Sequence, residues 1–409
     1  MAELKETLER LYALVPRGTK LGLERVQDVC AQFGNPQETF DAVHVAGTNG
    51  KGSVCAFVAS TARAAGMKVG LYTSPHLSRF AERIQIDGQP ISDELLVELL
   101  TEVMDKGPDL TFFEVATVAA FLAFARAEVD LAVLEVGLGG RLDATNVIPP
   151  PKVAAITRVA FDHMAYLGDS LAAIGREKAG IIKTGSKVVL GRIHPDAREQ
   201  IDLRTKEVGA EIVELGPAEP IPGARIAYPR LAMFGSNLAV ANTIARELGI
   251  GTDALLKGIE NTVWPGRNEL LHRNNQDLTL LDCAHNPDAT VALSHVLDPS
   301  LLGEIESRRE VALVFGAVKR KNWRAMMRRL ESTAGHKVFV APPVADAVDP
   351  HEIAERFTGD VAGSVAEALT RARNLVGPRG VVVVTGSTYL VGAARSMLLG
   401  LPSDPPVEL

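Results

Sequence analysis

Short apolar runs alternate with longer amphipathic stretches through the first part of the chain. Strands are expected at 42–46, 68–72, 131–136, 153–157 and 187–190, where nearly every position is apolar. Such runs suit strands covered by helices on both faces, because a strand with one wet face would alternate polar and apolar residues. Helices are expected at 53–65, 93–104, 113–127 and 170–179. This alternation predicts an α/β fold: a P-loop-type, mostly parallel sheet with flanking helices. Pro and Gly accumulate over 205–235 and the periodicity weakens, so a small antiparallel patch is expected there. Residues 237–248 read as a helix stopped by Gly249. The pattern breaks around Trp264-Pro265-Gly266-Arg267, then restarts with strands at 278–282, 311–315, 337–340 and 381–385. Two domains are expected, residues 1–264 and a smaller Rossmann-like α/β domain over 269–409, with 265–268 as the junction.

A chain of 409 residues exceeds what one core usually organises, which agrees with two domains. A net charge of −7 with only 5% aromatic residues lacks the basic surface and stacking rings of a nucleic-acid binder. Cys30, Cys55 and Cys283 have no paired spacing and suit a reducing compartment. The opening MAELKETLERLYAL reads as an amphipathic helix, not a secretory signal. The apolar stretch 115–125 is about half of what spans a bilayer. A cytoplasmic protein without a membrane segment, and a monomer, is expected.

Candidate chemistry gathers behind the expected strands. The run Gly47-Thr48-Asn49-Gly50-Lys51-Gly52-Ser53 joins a strand to a helix. Glycines let backbone N–H groups approach phosphate oxygens at a helix N-terminus, Lys51 adds a cation, and Ser53 can reach Mg²⁺. The spacing departs from the common phosphate-loop pattern, since two residues separate Gly47 from Gly50 and Gly52 precedes Ser53. Glu135 leaves a buried strand beside a glycine-rich bend where Arg141, Asp143 and Asn146 crowd together. Ser74 and Asp162-His163 end further strands, and Asp282-Cys283-Ala284-His285 and Gly386-Ser387 do so in the second half. Ligands in open α/β sheets bind outside the carboxyl ends of strands, and all these residues fall there. They suggest a cleft taking ATP phosphates and an acidic co-substrate.

These motifs, in this order, resemble the folylpolyglutamate synthase/dihydrofolate synthase family of Mur-type ATP-dependent amide ligases. The match runs through LGLERV (21–26), AGTNGKGS (46–53), TSPHL (73–77), FFE (112–114), LEVGLGGRLDATN (134–146), DHMAYLGDSLAAIGREKAGI (162–181), PGR (265–267), LDCAHNP (281–287) and GSTY (386–389). The resemblance implies ATP-dependent addition of L-glutamate to dihydropteroate or a reduced folate through an acyl phosphate. It implies phosphate contacts from Thr48, Asn49, Gly50, Lys51, Gly52 and Ser53, and further ATP contacts from Asn237, Arg267 and Asp282. Ser74, Glu135 and His163 become magnesium ligands. Lys178 becomes a lysine carbamylated by CO₂ that supports a second Mg²⁺, with K⁺ as a further candidate ion. The pterin pocket involves Thr19, Lys20, Leu21 and Gly22 with Thr111, Phe112 and Phe113. His285 and Ser387 lie near glutamate, with His285 a candidate base. Two departures stand out: Phe234-Gly235-Ser236 replaces the His-Gln pair often found before Asn237, and Asn322 replaces a common acid. A Mur-type ligase acting on a peptidoglycan precursor is the nearest alternative. A P-loop NTPase used as a switch or motor is the other, but it leaves Asp282–His285 without a purpose.

Overall fold

The computed structural model describes residues 2–18, 20, 22–215, 235–273, 277–297 and 310–405. These residues divide into two compact units, 1–76 with 81–263, and 77–80 with 264–409. The short segment Leu77–Phe80 therefore groups with the second unit, although it lies far up the chain from the rest of it.

The strands of the first unit are β1 (Asp41–Ala46), β2 (Val69–Tyr72), β3 (Ile84–Ile86), β4 (Gln89–Pro90), β5 (Leu131–Glu135), β6 (Val153–Arg158), β7 (Lys187–Arg192) and β8 (Glu211–Val213). They form one sheet in the order β4-β3-β2-β5-β1-β6-β7-β8. From β2 to β8 the pairing is parallel, and only the β2–β3 and β3–β4 pairs are antiparallel. Every residue of β5, and all of β1 except Asp41, is buried, as continuous apolar runs require. On one face Val43, Val45 and Val133 pack with Val54 and Val58 of helix Lys51–Ala64 and with Val240, Ile244 and Ile259. On the other, Ala154, Ile156 and Val188 meet Ile174, Ile181, Ile182 and Ile201.

The antiparallel patch expected within 205–235 falls mostly on 216–234, which lie outside the described residues. In the described part, 205–208 completes helix Pro195–Val208, and β8 adds a parallel edge to β7. Strands β3 and β4 were not expected, because three and two residues give no hydrophobic period to detect.

The second unit contains β9 (Glu269–Arg273), β10 (Asp277–Leu281), β11 (Val311–Phe315), β12 (His336–Phe339), β13 (Asp360–Val361) and β14 (Val381–Thr385). Their order is β13-β12-β11-β14-β10-β9, parallel except for β9. Leu77 packs against this unit's core, where Val382, Val384, Leu390 and Val391 meet. The segment is held further by Asp404, which accepts the Phe80 N–H at 2.7 Å while its own N–H bonds Ser78 O at 2.8 Å. Among the described residues no helix is long and apolar enough to cross a membrane.

Candidate functional site

In the first unit, β5, β1 and β6 lie side by side in parallel, so the loops after their carboxyl ends open at one edge. The loop after β1 is pinned on several sides. Thr48 N donates to Arg158 O at 2.6 Å, and its hydroxyl donates to Ala160 O at 3.0 Å. Thr157 Oγ1 donates to Asn49 O at 2.8 Å. Helix Lys51–Ala64 then starts at Gly50, which sits in the left-handed region at φ 88°. A Cβ on Gly50 would stand 2.4 Å from Asn237 Oδ1, and one on Gly47 would stand 2.0 Å from Thr157 Oγ1. Glycine is needed at both places, by backbone sign at Gly50 and by close approach at both. The contact also sets Asn237 beside the loop.

Two lysines converge on this loop. Lys51 Nζ donates to Gly47 O at 3.1 Å, and Lys178 Nζ donates to the same oxygen at 2.9 Å. Lys178 is 3% exposed, and burial together with the nearby Lys51 charge lowers its pKa to about 7. Lys51 is in no ion pair among the described residues, so its positive charge stands at a helix N-terminus. Gly52 and the buried Ser53 form the first helical turn with Lys51.

Glu135 ends β5 and is buried, and its Oε2 accepts the Ser74 N–H at 3.0 Å. The structure thus brings two of the expected magnesium ligands together. His163 follows β6 in the left-handed conformation, half-exposed, with Nε2 3.8 Å from Asp162 Oδ1. No cage of three or more His, Cys, Asp and Glu side chains occurs among the described residues. The candidate set is mixed: a carboxylate, a hydroxyl, an imidazole, and the oxygens a carbamate on Lys178 would add. That oxygen-rich set fits Mg²⁺, which accepts few protein ligands and keeps waters.

The turn expected to hold the pterin is built by capping. The Thr111 hydroxyl accepts the Glu114 N–H at 3.4 Å, and Glu114 Oε2 accepts the Thr111 N–H at 2.7 Å, starting helix Phe112–Arg126. Arg25, unremarked in the sequence, bonds Glu114 Oε1 at 2.7 Å and Lys20 O at 3.0 Å, tying the 20–22 loop to this turn. Gly22 has φ 124° in that loop. Thr19 and Leu21 lie outside the described residues. The Phe112 ring is 5.2 Å from the guanidinium of the buried Arg83. Phe113 lies against Gly137, where a Cβ would approach its ring to 2.4 Å, so it borders the loop that follows Glu135.

The second unit has its own set at the ends of β10 and β14. Asp282 Oδ2 accepts the Asn268 N–H at 3.0 Å and its Oδ1 the Ala284 N–H at 2.9 Å. Burial raises its pKa, opposed by the Arg267 charge. His285 Nδ1 lies 2.9 Å from Cys283 O. A carbonyl only accepts, so Nδ1 carries a proton. Ser387 is buried, and its hydroxyl accepts the Tyr389 N–H at 3.2 Å as the cap of helix Thr388–Leu399. Asn322 likewise caps helix Trp323–Leu330.

Two family models match this chain: the Mur ligase middle domain over residues 45–220, and the Mur ligase, glutamate ligase domain over 266–388. The dihydrofolate synthase/folylpolyglutamate synthase of Bacillus subtilis is 32% identical over 93% of this chain and 96% of its own length. The chain belongs to the folylpolyglutamate synthase/dihydrofolate synthase family. A further relative, named "Probable bifunctional folylpolyglutamate synthase/dihydropteroate synthase", from Haloferax volcanii, is 33% identical over 96% of this chain, which spans only 50% of that protein. Among solved structures, Escherichia coli FolC in complex with DHPP and ADP matches with a TM-score of 0.84 and 29% identity, covering 96% of this chain and 97% of that one. The Yersinia pestis bifunctional synthase with AMPPNP and Mn ion matches with a TM-score of 0.82 and 30% identity, covering 97% and 98%. The fold and family implied by the motifs are borne out.

Proposed function

We propose that this protein is an ATP-dependent ligase that adds L-glutamate to a pterin or folate carboxylate, dihydropteroate, a reduced folate or both. The observation that carries the reading is the convergence of Lys51 and Lys178 on the Gly47 carbonyl at a helix N-terminus, in a chain of this family. A carboxylate and an ammonium ion do not condense in water at useful rates, so the acid must be activated. Its oxygen attacks the γ-phosphorus of ATP, the bond to the β-phosphate oxygen breaks, and ADP leaves an acyl phosphate. The neutral glutamate amine then attacks the acyl carbon, and inorganic phosphate departs with the C–O bonding pair.

The loop amides of residues 48–53 and Lys51 orient the triphosphate and balance charge as it shifts toward the leaving group. Ser74, Glu135 and His163 would hold Mg²⁺, which when bound neutralises phosphate charge. Lys178 with a pKa of about 7 is substantially a neutral amine near neutral pH. Such an amine adds to CO₂ to give a carbamate and a proton, and this supports the second metal position. Asn237, Arg267 and Asp282 serve the nucleotide. Phe112, Phe113 and the 20–22 loop serve the pterin. The Gly386–Ser387 turn and His285 serve glutamate, with His285 Nε2 able to take the amine proton. Three buried free cysteines agree with a cytoplasmic setting.

A substrate panel tests the reading. Dihydropteroate and tetrahydrofolate are each incubated with ATP, Mg²⁺ and L-glutamate, beside a UDP-muramyl acceptor. ADP release that requires both glutamate and a pterin acid is expected. ADP release without an amino acid, or only with the muramyl acceptor, rejects it.

A further inference from the structure

One polar chain inside the first unit lies outside every role assigned so far. His44 sits in the middle of β1, fully buried, three residues before Gly47. Its Nε2 is 2.8 Å from Thr145 Oγ1, and Thr145 Oγ1 is 2.5 Å from Asp143 Oδ1. Asp143 also accepts the N–H groups of Thr145 at 3.1 Å and Leu138 at 2.8 Å, and that of Gly137. Its carboxylate thus gathers the turn that leaves β5 immediately after Glu135. The chain begins on the strand that carries the phosphate loop and ends on the turn that carries a metal ligand.

Burial raises the Asp143 pKa, and hydrogen bonds from Thr145, Leu138 and Gly137 oppose that rise; with Asp143 as the carboxylate, the proton positions along the chain follow. Asp143 accepts from backbone amides and from the Thr145 hydroxyl, so that hydroxyl has spent its proton and can only accept from His44. His44 must therefore be the neutral Nε2–H tautomer. Its Nδ1 has no hydrogen-bond partner among the described residues. Burial, helped by the Lys183 charge, holds the imidazole pKa down at about 3, so it does not become a cation that would reverse the chain. A leucine or valine would fill this position in a strand at lower desolvation cost. The polar residue there needs a purpose beyond packing.

We propose that His44, Thr145 and Asp143 form a buried positioning relay that fixes the Glu135 turn against the phosphate-loop strand, so that metal and phosphates are held in one register. The idea rests on Glu135 as a metal ligand. Groups that orient a ligand from behind typically cost 10–100-fold in metal affinity when removed.

The test measures Mn²⁺ binding to the full chain loaded with AMPPNP, by the electron paramagnetic resonance signal of free Mn²⁺. Wild type, Thr145→Val, Thr145→Ser and Glu135→Gln are compared. Thr145→Val is expected to weaken Mn²⁺ about tenfold while leaving metal-free ADP affinity unchanged, and Thr145→Ser to restore binding. If Glu135→Gln weakens Mn²⁺ but Thr145→Val does not, the relay is wrong and the metal site stands. Equal damage from the Ser and Val variants also removes the relay, because the hydroxyl is then irrelevant. Glu135→Gln with wild-type Mn²⁺ affinity overturns the site reading and the relay together. Should Thr145→Val fail to fold, ¹⁵N resonances of His44 in the wild-type chain decide. A neutral Nε2–H ring at neutral pH supports the relay, and an Nδ1–H ring or an imidazolium refutes it.

Discussion

The two units present the same device, a strand, a glycine turn and a helix N-terminus, yet use their polar groups differently. After β1, the side chains that could neutralise an anion keep that capacity. Lys51 and Lys178 give protons only to backbone carbonyls, and the structural bonds of the turn come from Thr48 and Thr157. After β10 and β14, the candidate residues are themselves the fasteners. Asp282 holds two backbone amides, and Ser387 caps its helix. One turn separates the groups that build it from those that meet a ligand, whereas the other combines the tasks. Substitutions in the first should therefore affect chemistry more than stability, and in the second the reverse.

The sharpest test is Lys51→Ala. It should lower glutamate-dependent ADP release by about a thousandfold, as loss of a phosphoryl-clamping charge does, with little change in thermal midpoint. Near-normal turnover at saturating Mg²⁺ would break the contrast.

Lys178→Met should be inactive yet more stable. The folded-state pKa of about 7 lies below the ordinary lysine value of 10.5, so the native chain resists protonation that the unfolded chain accepts. The penalty is absent above pH 10.5, grows as pH falls and levels off below 7. A gain on the order of 2 kcal/mol is expected at neutral pH, fading toward alkaline pH. Lys178→Ala leaves room for a small carboxylate, and acetate should restore part of its activity. Full activity without added anion would refute the carbamate.

Gly50→Ala joins the two effects, since it strains a left-handed residue and pushes on Asn237. A stability loss of about 2 kcal/mol with at least tenfold weaker ATP binding is expected by denaturation and calorimetry. The smallest effect belongs to the second unit. Ser387→Ala should cost about 1 kcal/mol as a lost helix cap and raise the KM for glutamate only modestly, by about threefold. An unchanged KM would mean that this hydroxyl serves the helix alone and does not meet glutamate.

Legibility followed the same division. Central strands could be read because apolar runs such as LAVLE have one cheap place to go, between helices. Strands β3, β4 and β13 could not, since two or three residues carry no period. Lys51 and Glu135 were visible because charge beside glycine at a strand end is unusual. Arg25 looked like an ordinary helix cation until the fold set it between Glu114 and Lys20. His44 looked like one polar letter in a hydrophobic strand until Thr145, far along the chain, came within hydrogen-bond distance.

The sequence by itself determined the layered α/β architecture and the family. Periodicity, turn chemistry and motif order are local properties, carried by neighbouring residues. Only the tertiary structure decided which amines share the Gly47 carbonyl, how far burial lowers the pKa of Lys178, and which polar groups are consumed as fasteners. Those outcomes depend on distances between residues remote in the chain and on the removal of water from around them, and neither is written in any single stretch.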